Sequence, residues 1–297
     1  MKEKDVSVMN GIAVIGTSMM DLVVLCRQAM EMERCNKAQI VRSFGGSMHN
    51  VAYNCGCLGL ETHFISKFGR DDTGLAIINE LQKKTCFVYG PVVNQNTPVF
   101  ISASDSEKGL YFSSIQPEFL FQGEAEDLPY CVISECAWGI TDQTDPAFLK
   151  TLLSKTLQTR WIFSGQIPPE ATLEKWEGIV VNRDEMNAYA GAVPMAQAAK
   201  ALLKKGVSWV IITLDKDGAL LVTMEGIRPY PALQDGAYPL GCGDAFLSGL
   251  LLGLSQDKPI EHCLHPALAA AAIVLQEPAA LSEKLCQLKT PNSSQSQ

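Results

Sequence analysis

Short apolar runs alternate with longer amphipathic stretches along most of this chain. Residues 12–15 form a continuous apolar run closed by Gly16, the pattern of a buried strand. Residues 47–58 are mixed and helix-compatible, with Gly59 as a stop; 63–66 read as a strand and 74–84 as a helix. Two further strands, 98–103 and 110–113, flank a polar turn at 105–109. Beyond them the pattern predicts a helix at 146–155, strands at 161–163 and 178–181, a helix at 194–205 and strands at 209–213 and 219–222. Helices at 244–255, 266–276 and 279–287 complete the series. Alternating strands and helices imply a doubly wound, mostly parallel α/β sheet. No internal repeat and no linker rich in Pro, Gly or Ser divides the chain, so residues 1–288 read as one domain and 289–297 as a disordered tail.

Composition narrows the class. With 47% apolar and 19% charged residues over 297 positions, the chain can bury a large core. A net charge of −8 with scattered basic residues argues against general affinity for nucleic acid or an anionic membrane. The most apolar stretches, 245–254 and 267–275, fall short of the roughly 20 residues that cross a bilayer and read as buried helices. No apolar region follows the charged start, Met1-Lys2-Glu3-Lys4-Asp5, so a cytoplasmic protein is expected. The ten cysteines are dispersed, as buried reduced thiols would be. Cys55-Gly56-Cys57 lacks the second pair that a metal site needs, and His262 and His265, followed at once by Pro266, read as surface or helix-start residues.

In an open α/β sheet, ligands lie beyond the carboxyl ends of the strands. That directs attention to the segments after Ile15, Ser66, Val181 and Thr213. Asp21 could accept hydrogen bonds from sugar hydroxyls, or be a surface residue in a turn. Gly45-Gly46 before a helix would let backbone approach a ligand, with Asn50 bonding its hydroxyls; a plain loop explains them equally. The 69–74 segment is read as a structural turn with helix-capping residues. Asn182 and Glu185 lie on one side of a helical turn, where the carboxylate could hold Mg²⁺ through water or the pair could simply cap the helix.

Gly241-Cys242-Gly243-Asp244-Ala245-Phe246 carries the most chemistry. A glycine turn running into an apolar helix can aim backbone N–H groups and the helix dipole at an anion. A carboxylate at that mouth would repel a phosphate held as a passive ligand. It makes sense as a general base beside a cradle for a phosphoryl group in transit. The bland alternative is a turn that caps a helix. Phe246 occupies the third glycine position of a Rossmann fingerprint, and the chain has no Gly-Lys-Ser/Thr of a Walker A loop.

Taken in order, Gly45-Gly46-x-x-x-Asn50, Gly69-x-Asp71-x-x-Gly74, Asn182-x-x-Glu185 and Gly241-x-Gly243-Asp244-Ala-Phe resemble the ribokinase-like, or phosphofructokinase B, carbohydrate kinases over about residues 11–276. The resemblance implies a doubly wound domain with a small β lid from about 22–43 and 97–115. It implies an ATP- and Mg²⁺-dependent kinase acting on a hydroxymethyl group. Asp244 would be the base, and the backbone of Gly241, Cys242 and Gly243 the anion hole. Asp21, Gly45, Gly46 and Asn50 would meet the substrate. Asn182 and Glu185 would lie near the ATP phosphates and metal, Thr213 and Gly218 would border the nucleotide, and the helix at 266–276 would wall the adenine. A homodimer through the lid is a further implication.

Three departures stand out. Met19 replaces an Asn, Asp215 replaces a Gly, and Tyr238-Pro239-Leu240 stand where the family has an Asp-Thr pair linked to a monovalent cation, so the usual potassium-activated loop is not expected. The alanine-rich stretch ending in Leu275-Gln276-Glu277 most resembles the pseudouridine kinase branch, making a ribonucleoside the first substrate to test. A free hexose or pentose is an alternative, as is a sugar- or nucleoside-binding protein with little kinase activity. A sugar-phosphate kinase would need a basic cluster, for which Arg42 and Lys108 are the lid candidates.

Overall fold

Strand β1 (Gly11–Ile15) is buried along its whole length and lies inside a nine-stranded sheet. It pairs in parallel with β4 (Thr62–Ile65) on one side and β10 (Cys136–Thr141) on the other. β6 (Cys86–Tyr89) extends the sheet beyond β4; β11 (Arg160–Ser164), β12 (Trp176–Asn182) and β13 (Trp209–Thr213) extend it beyond β10, all parallel. β14 (Ala219–Thr223) and β15 (Gly226–Tyr230) close that edge antiparallel. The chain builds the β4–β6 side first and then crosses back to build the other, so the winding reverses between β1 and β10. The crevice at their carboxyl ends is where such a sheet binds ligands. The computed structural model describes residues 10–31, 34–105, 109–123, 127–236, 238–277 and 280–289. The 106–108 part of the expected lid turn and the tail from 290 on lie outside the described residues.

Alternate residues of β1 face two helical layers. Ile12 and Val14 join one core with α1 (Ser47–Cys57), α2 (Asp72–Lys83), α7 (Cys242–Leu254) and α8 (Ile260–Val274). Ala13 and Ile15 join another with the short α3 (Tyr130–Ile133), α4 (Pro146–Lys155), α5 (Arg183–Ala190) and α6 (Met195–Lys204).

A second sheet of four strands runs β3-β2-β8-β9, from β2 (Met19–Cys26), β3 (Ala38–Gly45), β8 (Val99–Asp105) and β9 (Gly109–Ile115). Its first two strands reach further than the expected 22–43, so Asp21 lies within it. A short ladder between β5 (Phe68–Gly69) and β7 (Val92–Val93) precedes the crossing into β8.

Two expected helices differ. The helix expected from 266 begins at Ile260, with Pro266 in its interior. Proline costs a helix one hydrogen bond, but tertiary packing overrides it here: a side-chain carbon at Gly249 of α7 would strike the Pro266 carbonyl, so the two helices meet closely at that point. His262 and His265 sit exposed in its first half. The helix expected at 279–287 is a 3₁₀ turn, Glu283–Leu288, started by the Ser282 hydroxyl accepting from Lys284 N at 3.2 Å.

Candidate active site

Asp244 is the third residue of α7, and its carboxylate faces the β1–β10 crevice. Asn50, in the first turn of α1, donates from Nδ2 to Asp244 Oδ2 at 2.8 Å. Burial raises the Asp244 carboxyl to about 7, with the charges of Asp142 and Asp21 adding to it and hydrogen bonds from Asn50 and Ser47 opposing. A carboxylate poised there is suited to take a proton at neutral pH.

The other acidic groups come from separate elements. Asp21 is buried in β2, and burial lifts it to about 6 against the opposing influence of His49. Gly45, on the neighbouring strand, makes room for it: a side-chain carbon at Gly45 would collide with the Asp21 carboxylate. Gly46 turns the chain into α1 with φ of 96°. Asp142 follows β10 and is lifted to about 6 by burial, with the Glu118 charge adding and a hydrogen bond from Gln143 opposing. Glu118 accepts from the Thr17 hydroxyl at 2.9 Å. Sequence reasoning missed Asp142 and Glu118. The signal for Asp142 was its place at the end of a strand, but the strand itself went unread.

The glycine turn is built as its residues require. Gly241 caps α7 in the left-handed region, φ 80°, where a side-chain carbon would strike the Ala280 carbonyl. Gly243 opens onto empty space. Helix geometry leaves the first N–H groups without partners one turn back. That of Cys242 is donated to Pro239 O at 3.2 Å, so in this structure it does not point freely into the cradle expected of residues 241–243. Burial, with the Asp244 charge adding, raises the Cys242 thiol to about 11, and its Sγ donates to Tyr238 O at 3.5 Å.

Beyond Gly243 lies a cavity of about 670 Å³. Asn182, Thr213, Gly218 and Cys242 line it, and Ala271 and Leu275 of the α8 end form a wall. The sequence-selected nucleotide residues therefore converge, apart from Glu185, which is not in the lining. Glu185 and Asn182 form a capping box: Asn182 N donates to Glu185 Oε2 at 2.7 Å and Glu185 N to Asn182 Oδ1 at 2.8 Å. Burial raises the Glu185 carboxyl, with the Asp184 charge adding. Asp215 takes φ of 52°, a left-handed conformation that glycine adopts without strain. Arg183, not singled out from sequence, donates to Asp217 Oδ2 at 2.6 Å and Leu214 O at 3.1 Å at the cavity rim. Among the described residues no group of three or more His, Cys, Asp or Glu converges on a metal position, and Cys55 and Cys57 are buried thiols.

A parallel sheet whose crevice holds a carboxylate at a glycine-turn helix start, with a cavity beyond the turn, has the layout of a phosphoryl-transfer enzyme. The chain belongs to the pfkB family of carbohydrate kinases, whose profile matches residues 9–113 and 157–285. It is similar to the guanosine-inosine kinase of Exiguobacterium acetylicum, 24% identical over 302 residues that cover 90% of this chain and 95% of that one. Its fold matches Arabidopsis thaliana ribokinase, solved with ribose and ATP, with a TM-score of 0.79 and 18% identity over 95% of this chain and 99% of that one. It also matches Salmonella enterica aminoimidazole riboside kinase, solved with aminoimidazole riboside and an ATP analog, with a TM-score of 0.73 and 21% identity over 94% and 99% of the two chains. The protein is thus a sugar or nucleoside kinase, a phosphotransferase with an alcohol group as acceptor. No helix among the described residues is long and apolar enough to cross a membrane.

Proposed function

We propose that this chain transfers the terminal phosphoryl group of ATP to the hydroxymethyl group of an uncharged ribonucleoside or sugar, with Asp244 as general base and pseudouridine as the first nucleoside to test. The observation that carries this reading is the Asp244 carboxylate, held by Asn50 at 2.8 Å at the mouth of the Gly241–Gly243 turn. Asp244 accepts the proton of the acceptor hydroxyl while the start of α7 stabilises the charge on the phosphoryl group. The open space at Gly243 leaves that backbone approachable. The cavity of about 670 Å³ suits the nucleotide, with Asn182, Thr213 and Gly218 at its border and Ala271 and Leu275 against the base. Glu185 would hold Mg²⁺ through water, since one carboxylate suffices for an ion that keeps most of its hydration shell. The ion neutralises phosphate charge.

Charge selects the substrate class. Asp21, Glu118, Asp142 and Asp244 are electrostatically coupled around the acceptor end. Lys67 keeps its positive charge, but its Nζ is held at Leu120 O at 2.7 Å. Arg42 pairs across the strands with Leu22, while Ser43 pairs with Asp21, so strand alternation puts Arg42 on the face away from Asp21. Lys108 lies outside the described residues. A sugar phosphate would meet repulsion here, whereas neutral hydroxyls would find acceptors. The likeness to a guanosine-inosine kinase supports a nucleoside. Exposed Ile40 and Ile101 on the outer face of the small sheet support a homodimer through that face, which light scattering would detect as twice the chain mass.

The second reading, a binding protein with little turnover, is motivated by Asp215, which adds negative charge to the rim of the nucleotide cavity. ADP release with Mg-ATP, tested against ribose, fructose, adenosine, guanosine, inosine, cytidine, uridine and pseudouridine, separates the two. A strong signal lost in Asp244→Asn supports the kinase reading. Ligand binding without ATP binding supports the other.

A further inference from the structure

Behind the base lies a line of polar side chains that the phosphoryl-transfer chemistry leaves unexplained. Because Asn50 donates its Nδ2 to Asp244, its Oδ1 turns the other way, toward His49 Nδ1 at 3.3 Å. His49 is fully buried, with the edge of its ring against Phe64. Its second nitrogen, Nε2, faces Glu80 Oε2 of α2 at 3.5 Å. Neither Nε2 nor that oxygen has a hydrogen-bond partner. Both ring nitrogens therefore face oxygen acceptors. A neutral imidazole carries one N–H and can answer only one of them. The amide oxygen of Asn50, at the shorter distance, takes that N–H and places it on Nδ1.

We propose that His49, through an N–H on Nδ1, is a positioning residue that locks the Asn50 amide so that its NH₂ always faces Asp244. The inference rests on the reading of Asp244 as the base. Without an N–H at position 49, the Asn50 oxygen is left unpaired in the core and the amide loses one of the two contacts that fix its orientation, which weakens the hydrogen bond it donates to Asp244. A hydrogen bond to the charged form of a carboxyl favours that form, and its loss favours protonation. The other groups facing Asp244 are Ser47 of α1, Asp21 of β2, Asp142 after β10 and Cys242 of its own helix. Those facing His49 are Glu80 of α2 and Asp21 of β2. Among the described residues, His49 is the one with a side-chain donor within reach of Asn50 Oδ1.

Three variants test this: His49→Leu, which keeps bulk and removes the N–H; His49→Asn, which restores an amide N–H near the Nδ1 position; and Glu80→Gln. The readouts are the ¹³C carboxyl titration of Asp244 in the ligand-free protein, the ¹⁵N spectrum of the His49 ring, and the pH profile of kcat/KM. In wild type the ring spectrum is expected to show the His49 proton on Nδ1. His49→Leu is expected to move the Asp244 titration, and the acid limb of kcat/KM with it, up by about one pH unit, the worth of one hydrogen bond to a charged group. KM for ATP stays within about twofold, since His49 is not part of the nucleotide cavity wall. His49→Asn reverses most of the shift, and Glu80→Gln, whose amide can donate to Nε2, keeps the proton on Nδ1 and the Asp244 titration close to wild type.

A folded His49→Leu protein whose Asp244 titrates as in wild type overturns the proposal. So does a wild-type His49 ring whose proton sits on Nε2 with Nδ1 bare. If His49→Leu does not fold, His49→Asn and the ring spectrum decide. The titration and the spectrum need no turnover. A wild type that phosphorylates nothing would defeat the kinase reading without altering either result, and an active kinase with an unshifted titration would defeat this proposal alone.

Discussion

Asp71 holds Thr97 twice: the Thr97 N–H donates to Asp71 Oδ2 at 2.7 Å and its hydroxyl to Oδ1 at 2.6 Å. The same carboxylate caps α2 by accepting from Gly74 N at 2.8 Å. One side chain thus fastens a helix of the large layer to the point where the chain enters β8 of the small sheet. Desolvation pushes this carboxyl up, but the three hydrogen bonds outweigh it and the group titrates below its ordinary value. Asp71→Ala should cost about 1–2 kcal/mol of stability, as lost helix caps do, measured by urea unfolding at pH 7. Because the folded value is depressed, this contribution is present above the unfolded value of 3.8 and fades as pH falls below it.

As the proposed base, Asp244 would carry its raised titration into the pH dependence of turnover. A base must be ionised to act, so kcat/KM should fall as pH drops through about 7. Removing the neighbouring charge with Asp142→Asn should move that limb to lower pH. A full pH profile of both proteins checks the direction, and an unchanged or upward limb would refute the coupling.

Stability carries the opposite sign to that of Asp71. In the folded protein Asp244 holds its proton up to about 7, whereas in the unfolded chain it loses it near 3.8. The folded state therefore binds the extra proton through that window, and stability declines as pH rises across it. Asp244→Asn should raise the midpoint of thermal unfolding by a few degrees at pH 8 and by much less at pH 4.5. Calorimetry at the two pH values tests this.

The two glycines of the turn should separate cleanly. Gly241 is left-handed and pressed on the Ala280 carbonyl, so Gly241→Val should destabilise by about 1–3 kcal/mol, the cost of a forced backbone conformation. Gly243 faces open space, so Gly243→Val should stay within about 0.5 kcal/mol of wild type while losing ATP turnover. Unfolding curves set beside ADP release would show whether the losses fall on different properties.

Much of the site was legible because its signals are local. The glycine turn at 241–243 and the apolar helix after it are adjacent in sequence, and backbone geometry alone links them. The strand at 209–213 was legible because a buried parallel strand is a run of branched apolar residues. β10 was not, because Cys136-Ala137-Trp138-Gly139-Ile140-Thr141 has neither alternation nor a branched run. Its extended form comes from pairing with β1 on one side and β11 on the other.

With β10 unread, Asp142 had no strand end to mark it, and half of the acidic surroundings of Asp244 went unseen. Asn50 was expected to meet substrate; the structure gives its amide to Asp244, 194 residues away. His49 was not singled out from the sequence; the packing of α2 brings Glu80 within 3.5 Å of its ring. Sequence alone determined the layered α/β architecture, the glycine turn and the carboxylate beside it, because these follow from hydrophobic period, chain geometry and neighbouring residues. Only the tertiary structure decided which carboxylates face one another and which hydrogen bonds hold the base, because charge and hydrogen bonding act across distances of a few ångströms that topology, not chain order, brings about.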